Sequence, residues 1–508
     1  MKGALLICGT QSDAGKSLVT AGICRWLHRQ GVRVAPFKAQ NMALNSVVTR
    51  DGCEIGRSQA VQAAAARVEP EASMNPILIK PSGERHSQVM VMGRPYADAD
   101  ARSYQELKHE LRPIVADALA DLRARFEVVV CEGAGSPAEI NLRRADLTNM
   151  DLARAAGLPV LLVADIDRGG MFASLFGTLA LLEPADQAHV AGFVVNKFRG
   201  EEAILDPGLT QLYELTGRPT LGVLPHLDDL WMDAEDSLAL DAPRPEAPAG
   251  ADTLDVAVIR LRWMSNFTDL DALATEPGVR VRFTRSVADV QRADLVVVPG
   301  TKATVEDLAR LRASGLDRAL AERAHGGAPI LGICGGYQLL GHRIRDDVES
   351  REGAVEGLGL LPVTTTFRPK KLLRRRTGRC AWLDTAVGGY EIRHGRVTLT
   401  AGAEGLLVAD DGEPDGCRSG SVIGTSWHGA LEHDAFRRAL LQHVAAARGR
   451  RFTPGSDSFA AAREARLDVL GDLIEEHLQT DRLAALIEGG VPTELPNIAT
   501  EVRPCCAS

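Results

Sequence analysis

The 508-residue sequence lacks an excess of positive charge, a long apolar run and a recognisable export signal. Its formal net charge of −9 gives no general attraction for nucleic acid or anionic lipid. No segment approaches the ~20 consecutive apolar residues of a membrane-spanning helix. The amino-terminal apolar run leads into a glycine loop without a small-residue cleavage site. These absences predict a cytoplasmic protein that acts on small molecules, with neither nucleic acid nor membrane as a partner.

The nine cysteines form no C-x-x-C pair and no zinc-like spacing with histidine. This distribution fits reduced cytoplasmic thiols better than a disulfide framework or a structural zinc site. The chain is long enough for about three domains of roughly 150 residues each. Nothing in the sequence indicates an oligomeric state.

Strand-like apolar runs fall into two series, each of which alternates with helical stretches. The first series is ALLICGT, VRVAPFK, FEVVVCEGAG, LPVLLVADI, VAGFVVNK and TLGVLP. The second is DVAVIRL, RVRFTR, DLVVVPGT, APILGIC and VIGTSWHG. Such alternation predicts an α/β protein with two parallel-sheet domains, each sheet covered by helices on both faces.

Composition divides the chain into four segments. We expect a first α/β domain over residues 1–228, a linker over 229–252 that contains the Pro-rich DAPRPEAPAGAD, and a second α/β domain over 253–447. Residues 448–508 are expected to be a helical extension with a frayed tail. Its apolar positions keep helical spacing, which predicts one or two amphipathic helices packed on a domain: Leu467, Leu470, Ile474, Leu478, Leu483 and Ile487.

A glycine loop, GTQSDAGKS, joins the first predicted strand to a helix. Such a loop directs backbone N–H groups and the helix N-terminus at an anion, while Lys16 and Ser17 supply a positive charge and a magnesium ligand. Five residues, and not the usual four, separate Gly9 from Gly15. Thr10 lies inside the loop. The pattern therefore predicts a lengthened phosphate-binding loop for ATP; a tight turn with a solvated lysine is the alternative.

Three further strand ends carry polar residues. Glu132 follows a buried strand, where ligands of open α/β sheets collect, and is a candidate second magnesium ligand or a helix-capping carboxylate. Asn196 and Lys197 lie where a nucleotide base could be bound. Asp165, Asp167 and Arg168 follow another strand, but spacing alone assigns them no role.

The sequence G-x-C-x-G, from Gly332 to Gly336, places Cys334 at a strand-to-helix turn. Flanking glycines allow a strained residue to project its side chain into a pocket, as in a nucleophile elbow. A buried, inert cysteine needs no such glycines. A free thiol is only a few per cent thiolate at neutral pH, so a nucleophilic Cys334 requires a neighbouring histidine or helix N-terminus.

His428, in GTSWHGAL, is the candidate base, because it ends the last predicted strand and strand ends gather at one edge of a sheet. A single histidine on an apolar strand is more often structural. PGTKAT follows another strand, so the backbone N–H groups of Gly300 and Thr301 could stabilise an oxyanion together with that of Gly335.

The basic stretch RPKKLLRRRTGR, residues 368–379, has seven cationic residues but no aromatic residue on which a base could stack. A solvated loop or hairpin is the expected structure. Attraction of a polyanionic acceptor is a second possibility for this stretch.

These motifs resemble two known folds in succession. GTQSDAGKS, FKAQNMALNS, EGAGSPAEINL and DIDRGGMFASL are similar to the dethiobiotin-synthetase-like ATPases. PGTKATVEDLARLRASGL, GICGGYQLLG and GYEIRHGR are similar to the class I (triad-type) glutamine amidotransferases, which have a flavodoxin-type fold. Over residues 3–440 the chain resembles the cobyric acid synthase family of cobalamin biosynthesis, and FKAQNMALNS is its sharpest discriminator from the related a,c-diamide synthases.

The resemblance implies that Cys334 is the nucleophile and His428 its base. The general amidotransferase triad has a Glu two residues after the His, but here Ala430 occupies that position. The resemblance therefore implies a dyad, as in related cobalamin enzymes. Glu432 is too far along the chain to be assumed as a substitute, so the group that orients the imidazole is not indicated.

The implied reaction is ATP- and glutamine-dependent amidation of a corrinoid polycarboxylate, with Mg²⁺ as the metal. One alternative is a related amidotransferase-coupled ligase that acts on the a,c-carboxylates or on a different acceptor. Another is a partitioning or regulatory P-loop ATPase with a degenerate amidotransferase domain, which would not need Cys334 and His428 together.

Overall fold

A computed structural model describes residues 1–143, 146–227 and 253–498. The predicted linker at 229–252 lies outside these residues. We call residues 1–227 the first domain and residues 253–447 the second domain. Within the described ranges no helix is both long and apolar enough to cross a membrane.

The first domain contains twelve strands and seven α-helices in its described residues. The strands are β1 Gly3–Gly9, β2 Val34–Phe37, β3 Gln40–Met42, β4 Ser46–Val48, β5 Glu54–Gly56, β6 Ile77–Pro81, β7 Ser87–Val91, β8 Arg94–Ala99, β9 Val128–Glu132, β10 Val160–Asp165, β11 Val190–Phe198 and β12 Thr220–Pro225. The helices are α1 Lys16–Arg29, α2 Arg57–Ala65, α3 Ala101–Arg125, α4 Met150–Ala156, α5 Met171–Leu181, α6 Pro184–Gln187 and α7 Asp206–Thr216.

The second domain contributes eleven strands, and the extension beyond it is helical. The strands are β13 Leu254–Ile259, β14 Val279–Thr284, β15 Leu295–Val298, β16 Ile330–Ile333, β17 Arg343–Asp346, β18 Gly353–Glu356, β19 Val363–Cys380, β20 Thr385–Leu399, β21 Glu404–Ala409, β22 Pro414–Ser419 and β23 Val422–Thr425. The helices are α8 Asp271–Ala274, α9 Val287–Arg292, α10 Thr304–Ala313, α11 Leu316–His325, α12 Gly335–Leu340, α13 Asp434–Ala447, α14 Phe459–His477 and α15 Thr480–Gly489.

A six-stranded parallel sheet in the order β12-β11-β10-β1-β9-β2 forms the centre of the first domain. In the second domain the parallel strands β14-β13-β15-β16-β23 continue into the antiparallel β22 and β21 and then into β19, β17 and β18. Every strand-like run of the sequence corresponds to a strand of one of the two parallel sheets. The α/β fold with two parallel-sheet domains and a helical carboxy-terminal extension is confirmed.

Two small sheets lie between β2 and α3 and were not anticipated. One has the order β3-β6-β7-β8, and the other is the β4-β5 hairpin. Val47 and Ile55 of the hairpin share a buried apolar cluster with Tyr390 and Ile392 of β20. Full burial of a Val or Ile side chain stabilises by roughly 1.5–3 kcal/mol, so this cluster fastens the first domain to the second.

The basic stretch 368–379 lies in β19, which pairs with β20 as a long antiparallel hairpin. Arg374 and Arg376 both donate to Glu391 of β20, at 2.5 and 2.9 Å. Arg376 also contacts Glu413. The hairpin interpretation is therefore correct, and carboxylates on neighbouring strands balance much of the charge.

The carboxy-terminal helices α14 and α15 pack on the first domain. All six apolar positions that predicted them are buried in a cluster with residues of β1 and α1. Gly22 of α1 permits close packing with α14, because a Cβ there would lie 2.7 Å from the Cγ1 atom of Ile474.

The segment after α15 is packed, in contrast to the expected frayed tail. The N–H group of Ile498 donates to Gln187 at 2.7 Å, and the guanidinium group of Arg218 donates to the carbonyl of Pro496. Residues 499–508 lie outside the described ranges.

Candidate active sites

The predicted phosphate-binding loop runs from the end of β1 to the start of α1. Gly15 has φ 102°, a conformation that only glycine adopts without strain. A Cβ at Gly15 would lie 2.0 Å from the amide nitrogen of Asn196, which donates to the carbonyl of Ala14 at 3.0 Å. Lys16 begins the helix and is 7% exposed. The geometry is that of a tight loop that leads into a helix N-terminus.

Ser17 and Glu132 meet beneath this loop. The Ser17 hydroxyl donates to Glu132 at 2.8 Å, and Glu132 is fully buried. Lys38 donates to the same carboxylate oxygen at 2.9 Å, and Gln62 donates to the other at 2.5 Å. All these partners are side chains, so Glu132 makes no helix-capping contact here.

Lys197 of β11 and Arg168, which follows β10, contact the phosphate-binding loop through Asp13. Lys197 donates to the carbonyl of Asp13 at 2.9 Å and pairs with Asp165 at 2.8 Å. Arg168 pairs with Asp13 at 2.8 Å. These contacts hold the loop in place, and contact of Asn196 or Lys197 with a base stays a prediction.

A cavity of about 680 Å³ opens in front of Lys16. One wall belongs to the first domain and includes Lys38 and residues 40–44. The opposite wall is the segment after β13, residues 260–266, which we call the β13 loop; Arg260 to Met264 of this loop line the cavity. The cavity therefore lies between the two domains.

Cys334 lies at the turn between β16 and α12 with φ 49° and ψ −105°. Positive φ is uncommon for a residue other than glycine and marks stored strain. The Cys334 N–H donates to the carbonyl of Thr425 at 2.8 Å, which anchors the turn to β23. The thiol is 6% exposed and therefore buried. This is the nucleophile-elbow geometry that the sequence predicted.

Gly336, two residues after Cys334, packs directly against the backbone of β15. A Cβ at Gly336 would lie 1.9 Å from the carbonyl oxygen of Val298 on β15. We expect Gly336→Ala to destabilise the protein by about 1–3 kcal/mol, because backbone must move to admit the methyl group. Urea unfolding measures the change. Gly405→Ala is the control, since a Cβ at Gly405 meets no atom within 4 Å.

His428 follows β23 and lines the same small pocket as Cys334. Its Nδ1 atom lies 2.7 Å from an oxygen of Asp269, and the other oxygen of Asp269 accepts the N–H of Gly429 at 2.7 Å. Both side chains are buried. Burial alone lowers the pKa of His428, but the charge and hydrogen bond of Asp269 and the charge of Cys334 raise it to about 10. This environment favours the imidazolium form.

Asp269 is the functional residue that the sequence did not indicate. It lies in a short 3₁₀ helix, Phe267–Leu270, 159 residues before His428. The arrangement Cys334–His428–Asp269 is that of a catalytic triad, in which the carboxylate fixes the imidazole. Glu432, by contrast, pairs with Arg57 at 2.8 Å and Arg463 at 3.0 Å.

The three predicted oxyanion residues lie beside the thiol. A Cβ at Gly300 would lie 2.9 Å from the Cε1 atom of His428. A Cβ at Gly335 would lie 2.7 Å from the backbone nitrogen of Thr301. Two turns, one after β15 and one after β16, thus bring these backbones together at Cys334.

The thiol pocket is small, about 40 Å³, and the first domain helps to close it. Lys80 of β6 lines the pocket together with Lys371 of β19. Between them lies the buried Glu54, at 2.5 Å from Lys80 and 2.6 Å from Lys371. Burial raises the pKa of Glu54, but the two ammonium groups hold it well below its ordinary value. Burial lowers the pKa of Lys371 to about 8.

Comparison with known proteins identifies both halves. Residues 5–238 match the CobQ/CobB/MinD/ParA nucleotide binding domain, and residues 255–436 match the CobB/CobQ-like glutamine amidotransferase domain. The cobyric acid synthases of Frankia casuarinae and Streptomyces coelicolor are each 59% identical to this chain, over 98% of it and 99% of their own length. That of Mycolicibacterium paratuberculosis is 54% identical over 99% of this chain and 100% of its own.

The chain belongs to the cobyric acid synthase family. It is a glutamine-hydrolysing amide ligase of cobalamin biosynthesis with a nucleotide-binding domain. The alternative of a partitioning or regulatory ATPase is therefore not supported. As a member of the cobyric acid synthase family, the enzyme combines the two sites described above in one chain.

Proposed function

We propose that this enzyme converts adenosylcobyrinic acid a,c-diamide to adenosylcobyric acid by amidating its b, d, e and g carboxylates with ATP and glutamine. One observation carries the proposal: the β13 loop lines the cavity in front of Lys16, and Ser265 of the same loop lines the thiol pocket. A site that releases ammonia and a site that activates a carboxylate therefore adjoin one loop. The relatives named cobyric acid synthase supply the substrate.

Glutamine hydrolysis begins with attack of the Cys334 thiolate on the side-chain amide carbon. The strained backbone at Cys334 aims the sulfur, and the N–H groups of Gly335 and of Gly300 or Thr301 stabilise the oxyanion that forms. The imidazolium of His428 then donates its Nε2 proton to the departing ammonia, while Asp269 holds Nδ1. Water attacks the thioester, and glutamate leaves with the thiolate restored.

Amide formation takes place in the larger cavity. A carboxylate does not react with ammonia at neutral pH, because its oxide is a poor leaving group. Transfer of the γ-phosphoryl group of ATP to a corrinoid carboxylate gives an acyl phosphate, which ammonia attacks as phosphate departs. Lys16 stabilises the charge on the transferring group. Ammonia released next to this cavity reacts before it takes up a proton from bulk water, and proximity adds to the rate.

Ser17 and Glu132 would hold a magnesium ion at the nucleotide phosphates. Among the described residues no group of three or more His, Cys, Asp or Glu side chains is arranged to bind a metal. Magnesium nevertheless fits, since it is usually held by one or two protein oxygens plus phosphates and waters. It would neutralise phosphate charge, and Lys38, which shares the Glu132 oxygen with Ser17, would balance the carboxylate beside it.

The test measures the mass of the corrinoid product and its content of ¹⁵N from glutamine. With ATP, amide-¹⁵N-glutamine and adenosylcobyrinic acid a,c-diamide, we expect a corrinoid that carries four labelled amides, and glutamate and ADP formed in step with them. Cobyrinic acid serves as a second acceptor, since labelling of its a and c positions would favour the a,c-diamide synthase instead. If no labelled corrinoid forms when all three substrates are present, the proposal is wrong.

We also propose the cytoplasm as the site of this reaction. The support is that the seven cysteines among the described residues are all free and buried, as in reduced intracellular proteins.

A further inference from the structure

The wall of the large cavity that faces Lys16 carries three arginines from the second domain, Arg260, Arg262 and Arg285. The side chains of Arg262 and Arg285 are exposed. Arg262 lies on the β13 loop, and Arg285 follows β14. Nothing in the phosphate chemistry above uses this wall, so its ligand is a separate question.

Two cations of the opposite wall, Lys38 and Arg143, are already engaged by carboxylates. Lys38 pairs with Glu132 at 2.9 Å, and Arg143 pairs with Asp186 at 2.6 Å. Within the described ranges Arg262 and Arg285 form no ion pair. The Arg262 guanidinium lies 5.6 Å from the centroid of the Trp263 ring, and Arg285 donates to a carbonyl at 3.3 Å. The positive charges of Arg262 and Arg285 at the cavity are therefore not paired with a carboxylate.

The backbone that carries Arg262 is fixed before any ligand arrives. The buried carboxylate of Asp307 accepts the N–H groups of Arg262 and Trp263 at 2.9 and 3.2 Å. The Trp263 indole donates to Glu306 at 2.8 Å. A guanidinium on a preorganised loop loses less entropy when it binds a carboxylate than one on a mobile segment does.

Two large apolar side chains of the first domain also lie at this cavity. Met42 and Leu142 line it and are 54% and 49% exposed. Exposed large apolar side chains at a cavity mark a binding surface for an apolar ligand face. The cavity thus combines apolar contact, uncompensated cations and a phosphate-binding loop.

We propose that Arg262 and Arg285 bind carboxylates of the corrinoid that are not reacting, while Met42 and Leu142 contact the face of its macrocycle. The inference rests on the proposed function, since that names the acceptor. A broad ring with carboxylates around its edge matches this wall, and one carboxylate at a time then faces Lys16. The arginines are positioning residues for the acceptor and take no part in bond making.

The experiment compares Arg262→Gln, Arg285→Gln and the double variant with the unchanged enzyme at low salt. We expect KM for the a,c-diamide acceptor to rise about tenfold for each lost charge-assisted hydrogen bond, with KM for ATP unchanged. Quenching of tryptophan fluorescence by the corrinoid gives the equilibrium affinity without turnover. Arg375→Gln, on β19 outside the cavity, is the matched control and is expected to leave both constants unchanged.

Three results would overturn the inference: acceptor affinity within twofold of the unchanged enzyme in the double variant, a rise in KM for ATP in its place, or loss of affinity in the Arg375 control. Melting temperatures show that each variant is folded. Absence of labelled product from the unchanged enzyme counts against the proposed function alone, because the affinity comparison does not depend on turnover.

Discussion

Replacing Cys334 by alanine is expected to abolish amide synthesis from glutamine and to leave synthesis from ammonium salts intact. The thiol pocket and the large cavity are separate spaces with separate functional groups. Without the sulfur no thioester forms, and the residual rate falls to that of uncatalysed glutamine hydrolysis. Ammonia from solution can still enter the cavity in front of Lys16 and attack the acyl phosphate. The measurement is labelled corrinoid amide formed with each nitrogen source.

Lys16→Met is the complementary variant, since it removes the positive charge at the transferring phosphoryl group. It should lose synthesis from both nitrogen sources. If Cys334→Ala also lost synthesis from ammonium while its melting temperature stayed unchanged, the two sites could not be independent.

Asp269→Asn is expected to lower glutamine hydrolysis by about 10²–10⁴-fold. The asparagine fills the same space but cannot fix the Nδ1 proton of His428 through a negative charge. Part of the imidazole then adopts the wrong tautomer, and the proton donor for ammonia is lost. Synthesis from ammonium should be unchanged, because Asp269 lies at the thiol pocket and not at the phosphate-binding loop.

The pH profile separates this role from a merely structural one. Asp269 helps to raise the pKa of His428 from an ordinary value of 6.5 to about 10, so the imidazolium persists to alkaline pH. In Asp269→Asn the alkaline limb of glutamine hydrolysis should move to lower pH. The stabilisation that the pair gives the fold is complete below pH 6.5 and lost as pH rises through about 10; the variant lacks it throughout.

Glu432→Gln is the matched control, since it makes the same change on a carboxylate close to His428 in sequence. Glu432 pairs with Arg57 and Arg463, so its loss should lower stability without moving the alkaline limb. An unshifted limb in Asp269→Asn, or an equal shift in both variants, would contradict the triad.

The parallel sheets could be predicted from sequence because each strand is a buried apolar run that ends at a glycine or polar turn. The small sheets β3-β6-β7-β8 and β4-β5 could not, since their strands are short and mix polar with apolar residues. The β4-β5 hairpin is buried against the second domain, as the cluster of Val47 and Ile55 with Tyr390 shows, whereas Ile77 and Val89 of the larger sheet join the core of the first domain. Packing between residues of different domains does not require a periodic pattern of apolar residues in either segment.

The same reasoning explains which site residues were found. Cys334 and His428 follow strands of one parallel sheet, so topology alone brings them to one edge. Asp269 lies on a 3₁₀ helix after a loop, where no spacing rule places it opposite a histidine 159 residues later. Glu54, Lys80 and Lys371 form a buried chain of charges between the domains, and no motif in the sequence singles them out.

The return of α14 and α15 to the first domain has a mechanical consequence. The chain leaves the first domain after residue 227 and packs on its core again from Leu467 of α14 onward, so the amidotransferase half is attached at both of its ends. Attachment at both ends limits how far the two halves can separate. Opening of the thiol pocket to admit glutamine should therefore be a pivot that parts Lys371 from Glu54, and not a separation of the halves.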